Sequence, residues 1–383
     1  MNPTTHRVRD DQVISHIGSV KHHTLKTIPS EALADFASGA PFKLLRSDPK
    51  VRDNWISFTA VEWNAMEKCL YLGLTAFDTD IFWRFDPNTA QFESLGFKDV
   101  ARDPQYIKIH RGLTPDHEGG YYFGTAGLLD LDERNSAPGG AIYHYTHGQF
   151  ESLGLPVPHD YIQHIEVDLE RHRVYGVTYP VVQFFDYDID AQVTRFKFFT
   201  GSHFHESGLD DAGYLWGTWH TNGGHCLFRY HPDVGSPEYF YDPIPNLDPD
   251  HKFNFPLNGP IDSIINGRDG HLYFGTTLGE LYRLDPTTGK HTLLGKPSDG
   301  IRLSGLVLGP AGKLLGSYGA YHRAGLFLYD RVTREFIDLG LLRDDEASCF
   351  LIHDIAWDGA QRVFAAETDN LDRSSYLWEA RLE

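Results

Sequence analysis

The stretch LYFGTTLGELYRLDPTTGKHTLLG (272–295) decides the fold. It holds three short apolar runs: LYFGT, LYRL and HTLLG. The first two are separated by Thr-Leu-Gly-Glu, and the second is followed by Asp-Pro-Thr-Thr-Gly, the chemistry of a tight turn. Runs of this length, rich in aromatic and aliphatic residues and bounded by Gly, Pro and Asp, predict strands joined by hairpins. The same phrase recurs along the chain. It appears as LYLGLT (70–75), WRFDPNTA (83–90) and FESLG (92–96), then as YYFGTA (121–126), IYHYTHG (142–148) and FESLG (150–154). Further copies occupy 174–199, 215–243 and 314–340, and the last runs from VFAAET (363–368) to YLWEARL (376–382).

Each copy follows a strand of mixed polarity, so the unit has four strands and a period of roughly 40 residues, as in propeller blades. The expected fold is all-β: one seven-bladed β-propeller of four-stranded blades covering 1–383. Residues 1–50 would supply a closing strand and a short capped helix, SEALADFASG (30–39), and 51–383 the seven blades. The seventh copy lacks a fourth strand, and KHHTLKTIP (21–29) resembles KHTLLGKP (290–297). The N-terminal segment is therefore expected to close the ring against 376–382, with Phe42 to Leu45 as the competing segment. Closure removes a sheet edge open to aggregation.

Composition narrows the function classes. The chain has 53 Asp and Glu against 34 Lys and Arg, a formal charge of -19, which disfavours nucleic acid as a partner. Three cysteines, Cys69, Cys226 and Cys349, are too few and too scattered for a disulfide framework or a zinc knuckle. No run of eighteen apolar residues and no signal-like N-terminal run occurs, so a cytoplasmic protein with no membrane partner is expected.

The first strand of a propeller blade lines the central channel. Counting back eleven residues from Tyr71, Tyr175, Trp216, Tyr273, Leu315 and Phe364 gives Ala60, His164, His205, Asp262, Ser304 and His353. In the second blade the longer turn DHEGG shifts the frame by one from Tyr122, which seats His110 in the same column. Two residues earlier stand Lys108, His203 and Arg302. Channels are wet and tolerate histidine, which is the plain explanation. Two chemical readings compete with it. Neutral imidazoles from separate strands suit a divalent metal such as Zn, Mn or Fe, with His110, His164, His205, His353 and Asp262 as ligands. The same groups also suit metal-free acid–base chemistry, in which Arg or Lys holds a carboxylate.

The loops after the second strands carry Tyr179, Trp219, His220, Tyr321 and His322. Flat rings and amides on one rim suit a sugar-like ligand, although for each residue alone covering a blade edge is the favoured explanation. The acidic stretches at Asp116 to Glu118 and 128–134 are a poor calcium signal.

The repeat resembles the seven-bladed propellers of the sugar-lyase and lactonase type, among them the oligogalacturonate, ulvan and virginiamycin B lyases. That resemblance covers nearly the whole chain, rests on the blade pattern, and brings no diagnostic family motif. It implies a site at the channel mouth, with histidine and tyrosine as acid–base groups, an arginine neutralising a uronate and sometimes a divalent metal. His110, His164, Tyr179 and Arg302 would fill those roles, with His164, Tyr179 and Arg302 catalytic and Lys108, Trp219, His220, Tyr321 and His322 on the substrate. Four inward histidines also resemble the carotenoid oxygenases, whose iron is held by four imidazoles, but this chain has no room for their large insertions. The reading is a metal-assisted lyase acting by β-elimination on a small carbohydrate or oligosaccharide substrate. The alternatives are a His-ligated iron oxygenase and a non-catalytic propeller scaffold.

Overall fold

The computed structural model describes residues 14–28, 46–101, 103, 106–127, 132–245, 260–370 and 372–383. Seven antiparallel sheets of four strands follow one another around a ring. Blade 1 spans 56–94, blade 2 114–154, blade 3 161–199, blade 4 208–243, blade 5 261–295 and blade 6 306–341. Blade 7 takes three strands from 352–382 and its fourth from Ile17–His23. The helix expected at 30–39 and the competing segment Phe42 to Leu45 lie outside the described residues. The three cysteines are buried and unpaired.

Burial follows the order of strands within a blade. The second strand of blade 1, Cys69–Ala76, is buried along its whole length. The fourth strand of blade 3, Val193–Phe199, instead alternates between exposed and half-buried positions, as an outer edge should. The glycine of the repeated phrase has a packing reason. A Cβ on Gly124 would lie 2.4 Å from Ile162, and one on Gly275 2.4 Å from Leu303, so the next blade's inner segment fills the space a side chain would need. The interblade seams are then filled by aromatic rings, such as Phe82 on Phe123 at 5.0 Å and Phe184 against Phe228 at 5.7 Å.

The closing strand pairs antiparallel with Leu377–Leu382, from Ile17 opposite Leu382 to His23 opposite Leu377. The pairing thus lies at the N-terminal side of the expected segment. Polar contacts lock this register. His23 Nε2 lies 2.9 Å and Lys21 Nζ 3.1 Å from Glu379 Oε2, while His22 bonds Asp344 at 2.6 Å and stacks on Tyr376.

Burial would push the Glu379 carboxyl up, but the bonds from His23 and Lys21 outweigh it and hold it below its ordinary value. A depressed carboxyl contributes stability that is present above the unfolded value near 4.3 and is lost as pH falls through the folded one. Glu379→Gln should therefore cost about 1–3 kcal/mol at pH 7, the range for a hydrogen-bonded charged group. Denaturant unfolding followed from pH 7 to 3 should show that gap closing in acid. A gap independent of pH would mean that the pairs do not hold the closure.

Candidate functional site

The first strands are built in two ways. In blades 1, 3, 5 and 7 they are long and carry a β-bulge, at Thr59, Gln163, Asp262 and His353 respectively. In blades 2, 4 and 6 the paired part is short, and His110, His205, Arg302 and Ser304 lie on the segment just before it. The bulges govern where the imidazoles point, because a bulge re-aims the side chains beside it.

Each of three histidines is tied through Nδ1 to the bulged residue of the following blade. His110 Nδ1 lies 2.6 Å from the Gln163 carbonyl, and His353 Nδ1 lies 2.8 Å from the Thr59 carbonyl. His205 Nδ1 stands 3.0 Å from Asp262 Oδ1. A carbonyl oxygen can only accept, so Nδ1 of His110 and His353 must carry the proton. In the neutral ring Nε2 is then left as the basic atom. Arg111 Nε also approaches His353 Nδ1, at 3.4 Å, but the closer carbonyl decides the tautomer. The three rings lie side by side, with centroids 4.5, 6.0 and 6.4 Å apart, and His203 stands 5.3 Å from His205. They are 4–7% exposed, so they do not line an open watery tube.

His164 does not join them. In blades 1 and 3 the bulge falls one residue before the aligned column, which leaves Ala60 and His164 one place beyond it. A shift of one residue turns a strand side chain to the other face. His164 packs instead against the turn at Gly112, where a Cβ would meet its Nδ1 at 3.2 Å. Its ring also reaches the Ser207 backbone, and burial lowers it to about 3. The bulge thus leaves His164, expected at the centre of the site, one place beyond the column, within reach of the charges of Arg111 and His205.

Asp262 is the electrostatic hub. It accepts two bonds from Arg302, Nε to Oδ2 at 2.5 Å and Nη2 to Oδ1 at 2.9 Å. Arg111 adds Nη2 to Oδ1 at 3.2 Å and a bond to the Asp262 carbonyl. Burial would raise this carboxyl, but Arg302 and Arg111 outweigh it and hold it well below its ordinary value. Both arginines have left-handed backbones, with φ of 67° at Arg302 and 32° at Arg111, a strained conformation of the kind that gathers at functional sites. Arg111, whose side chain is fully buried, crosses from blade 2 to Asp262, His353 and Glu206. Below it lie Glu206 and Asp354, both raised by burial, Glu206 also by the nearby charge of Asp354.

Above the imidazoles stands Lys108. Its ammonium has no hydrogen-bond partner among the described residues, and the opposing charge it feels is that of Asp369. Burial lowers it to about 8. Burial also lowers His205 to about 4, partly offset by Asp262, and His203 to about 3. It holds His110 and His353 well below their ordinary value, helped by the charges of Lys108 and Arg111. At neutral pH the chamber therefore combines uncharged imidazoles with fixed positive charge.

The rim residues are placed differently. Tyr179 lies 4.8 Å from His203 and 5.2 Å from Tyr161, so it belongs to this chamber. Trp219 donates to the Leu227 and Phe240 carbonyls and packs on Tyr239 in the outer part of blade 4, with His220 against His225. Tyr321 and His322 pack on Phe350. These four do not converge on the imidazoles. Among the described residues no group of three or more His, Cys, Asp or Glu is disposed to hold a metal ion. The positive charge an ion would bring is supplied by Arg111 and Arg302, which already saturate Asp262. Of the expected ligands, His110, His205 and His353 lie together, Asp262 is engaged by the two arginines, and His164 stands one place beyond the column. Asp116 of the acidic turn is engaged by His144 and by backbone N–H groups at 118 and 120, and 128–131 lie outside the described residues.

Sequence reasoning missed Arg111, Glu206 and Asp354. Eleven residues back from Tyr122 is Arg111 itself, and the frame shift that seated His110 passed over it. His-Glu at 205–206 and His-Asp at 353–354 were the signal for the layer beneath.

No family model matches the chain, and no curated protein matches it. Solved structures do. A streptogramin B lyase is similar at a TM-score of 0.59 and 15% identity, over 85% of this chain and 93% of the lyase. The extracellular domain of a putative one component system, BT4673 of B. thetaiotaomicron, is similar at 0.57 and 15% identity over 84% of this chain. There the match spans only 38% of the bacteroidal protein's chain. At these identities the likeness establishes the fold alone, a β-propeller.

Proposed function

We propose that the chain is an enzyme, a lyase that eliminates across a bond next to a carboxylate, on a small carbohydrate-derived substrate. The observation that carries the reading is the set of imidazoles fixed through Nδ1 beneath an ammonium without a hydrogen-bond partner. Lys108 would receive the substrate carboxylate. His205, with Asp262 behind it, is the best base: the carboxylate orients the ring and favours its protonated form, as in other carboxylate–histidine pairs. Its Nε2 would take the proton beside the carboxylate. The electron pair left behind spreads into the carboxylate, stabilised by Lys108 and the field of Arg302. It then forms the carbon–carbon double bond as the β-oxygen leaves, with Tyr179 donating a proton to that oxygen. The similar streptogramin B lyase is by name a lyase, which supports the class of reaction and leaves the substrate open. No step requires a metal, and the alternative of a bare scaffold gives no reason for a half-buried Lys without a hydrogen-bond partner above neutral bases.

Incubation with uronate oligosaccharides and with streptogramin B, monitored for ultraviolet absorbance of a new double bond, tests the reaction directly. His205→Ala should lower turnover about 10²–10⁴-fold, the usual worth of a general base. His164→Ala should lower it less than tenfold. Equal losses would return His164 to the site, and no product from any substrate, together with no Lys108-dependent carboxylate binding, would sink the reading. Protein purified without an affinity tag should contain no stoichiometric transition metal; one atom per chain, lost together with activity on chelation, contradicts the metal-free scheme.

The pH dependence has a stated sign. His205 must be neutral, so kcat/KM should fall as pH drops through about 4. Lys108 must be charged, so it should fall again as pH rises through about 8. Lys108→Arg should keep the acid limb and remove the alkaline one, because a guanidinium stays charged. An alkaline limb unmoved by that change would assign it to another group.

A further inference from the structure

Three blades carry an arginine at one place in the repeat, on the third strand and three residues before a proline: Arg84, Arg229 and Arg283. In blade 1 Arg84 stands opposite Glu93 in the ladder and bonds it at 2.5 Å. In blade 4 Arg229 stands opposite Glu238 and bonds it at 2.7 Å. In blade 5 the residue opposite Arg283 is Thr292, which brings no charge. Arg283 therefore lacks the carboxylate that both of its counterparts have.

Blade 6 brings two more arginines to the same spot. A cleft of about 160 Å³ between blades 5 and 6 is lined by Arg283, Thr292, Arg331, Arg334, Tyr273 and Tyr329, among others. Arg331 pairs with Asp269 at 3.0 Å, and that carboxylate also accepts from the Tyr273 hydroxyl. Arg283 and Arg334, the latter on a left-handed backbone with φ of 64°, make no ion pair or side-chain hydrogen bond with a described residue. Burial raises the Tyr329 phenol, and the charges of Arg334 and Arg283 oppose that rise, which sets both guanidiniums close to it. Asp330, in the adjacent turn, is spent on Lys313 and on the N–H groups of Val332 and Thr333. Among the described residues, the three guanidiniums are thus paired with one carboxylate, in a chain of formal charge -19. Clustered like charges repel, and a sequence keeps such a conflict where a ligand resolves it.

We propose that this cleft binds a doubly charged tetrahedral oxyanion, a phosphate group either free or as the monoester of a small molecule. The guanidinium fork meets two oxygens at once, and three such forks around one cleft match a dianion better than a singly charged carboxylate. The hydroxyls of Thr292 and Tyr329 add donors, where a glutamate at 292 would repel the ligand. One water needs only about 10–15 Å³ of such space, so the phosphate and the first atoms of an attached group have room. The cleft is built from the second to fourth strands of blade 5 and from the third strand and following turn of blade 6. Lys108 and the imidazoles lie instead on the inner segments at the axis, so the cleft is separate from the lyase site and stands independently of that reading.

Calorimetric titration of the full chain with inorganic phosphate and with glycerol 1-phosphate tests it, at fixed ionic strength with chloride as the balancing anion. The pH is held at about 7.5, above the second phosphate pKa of about 6. Thr292→Glu gives blade 5 the pair that blades 1 and 4 already have, so it should fold as the wild type does and weaken binding by about tenfold or more. Arg334→Gln, at an exposed position, should weaken it comparably without adding a negative charge, and it decides the matter if Thr292→Glu melts early. Lys108→Met, which removes the cation of the axial chamber, should leave this binding in place. The tighter of the two ligands shows whether free phosphate or its ester is the group recognised. No saturable binding in the wild type, binding unmoved by both Thr292→Glu and Arg334→Gln, or binding lost only with Lys108→Met overturns the site.

Discussion

The channel depends on one buried anion. Asp262 sits fully inside the protein with two guanidiniums and an imidazole around it. An isolated carboxylate in such a place would cost several kcal/mol, so it is tolerable only because Arg302 and Arg111 pair with it. The dependence is mutual. Without Asp262 the two arginines would be buried cations on strained backbone, and His205 would lose the group that orients it. Arg111 carries the same constraint outward, to His353 on one side and Glu206 on another. Five blades are thereby joined through a single polar network at the axis.

That network also divides the channel. Above it stand neutral imidazoles with Lys108, and below it Glu206 and Asp354, whose burial favours their protonated forms. A protein with a formal charge of -19 in this way encloses a basic chamber. Carboxylate recognition within an acidic protein needs such local segregation, since net charge governs long-range approach and the fixed charges in a low-dielectric chamber govern binding.

How much of this was legible in the sequence follows from what each feature depends on. The blades were readable because the phrase LYFGT…LYRLDPTTG…HTLLG encodes strands and turns locally, and the missing outer strand of the last blade pointed to the N-terminal segment. The channel column was readable to within one residue. Hydrophobic periodicity places a first strand but does not locate a β-bulge, and the bulges at Gln163 and Thr59 put His164 and Ala60 out of step with His353 and Asp262. Arg111 was invisible for a related reason: its neighbour His110 was the residue that fitted the column, and the left-handed turn that lets both enter the channel has no sequence mark. The rim residues Trp219, His220, Tyr321 and His322 shared a loop position but not a direction, because hairpin loops on separate blades are set by their own packing.

His110, His205 and His353 are held as neutral Nδ1–H tautomers that leave Nε2 as the basic atom. Nitrogen-15 NMR of the imidazole side chains, assigned by replacing each of the three with Gln in turn, reads tautomer and charge directly and needs no substrate. Three rings with protonated Nδ1 and bare Nε2 that stay neutral from pH 5 to 8 are expected. Rings that carry the proton on Nε2, or that titrate near the ordinary histidine value of about 6.5, would contradict it.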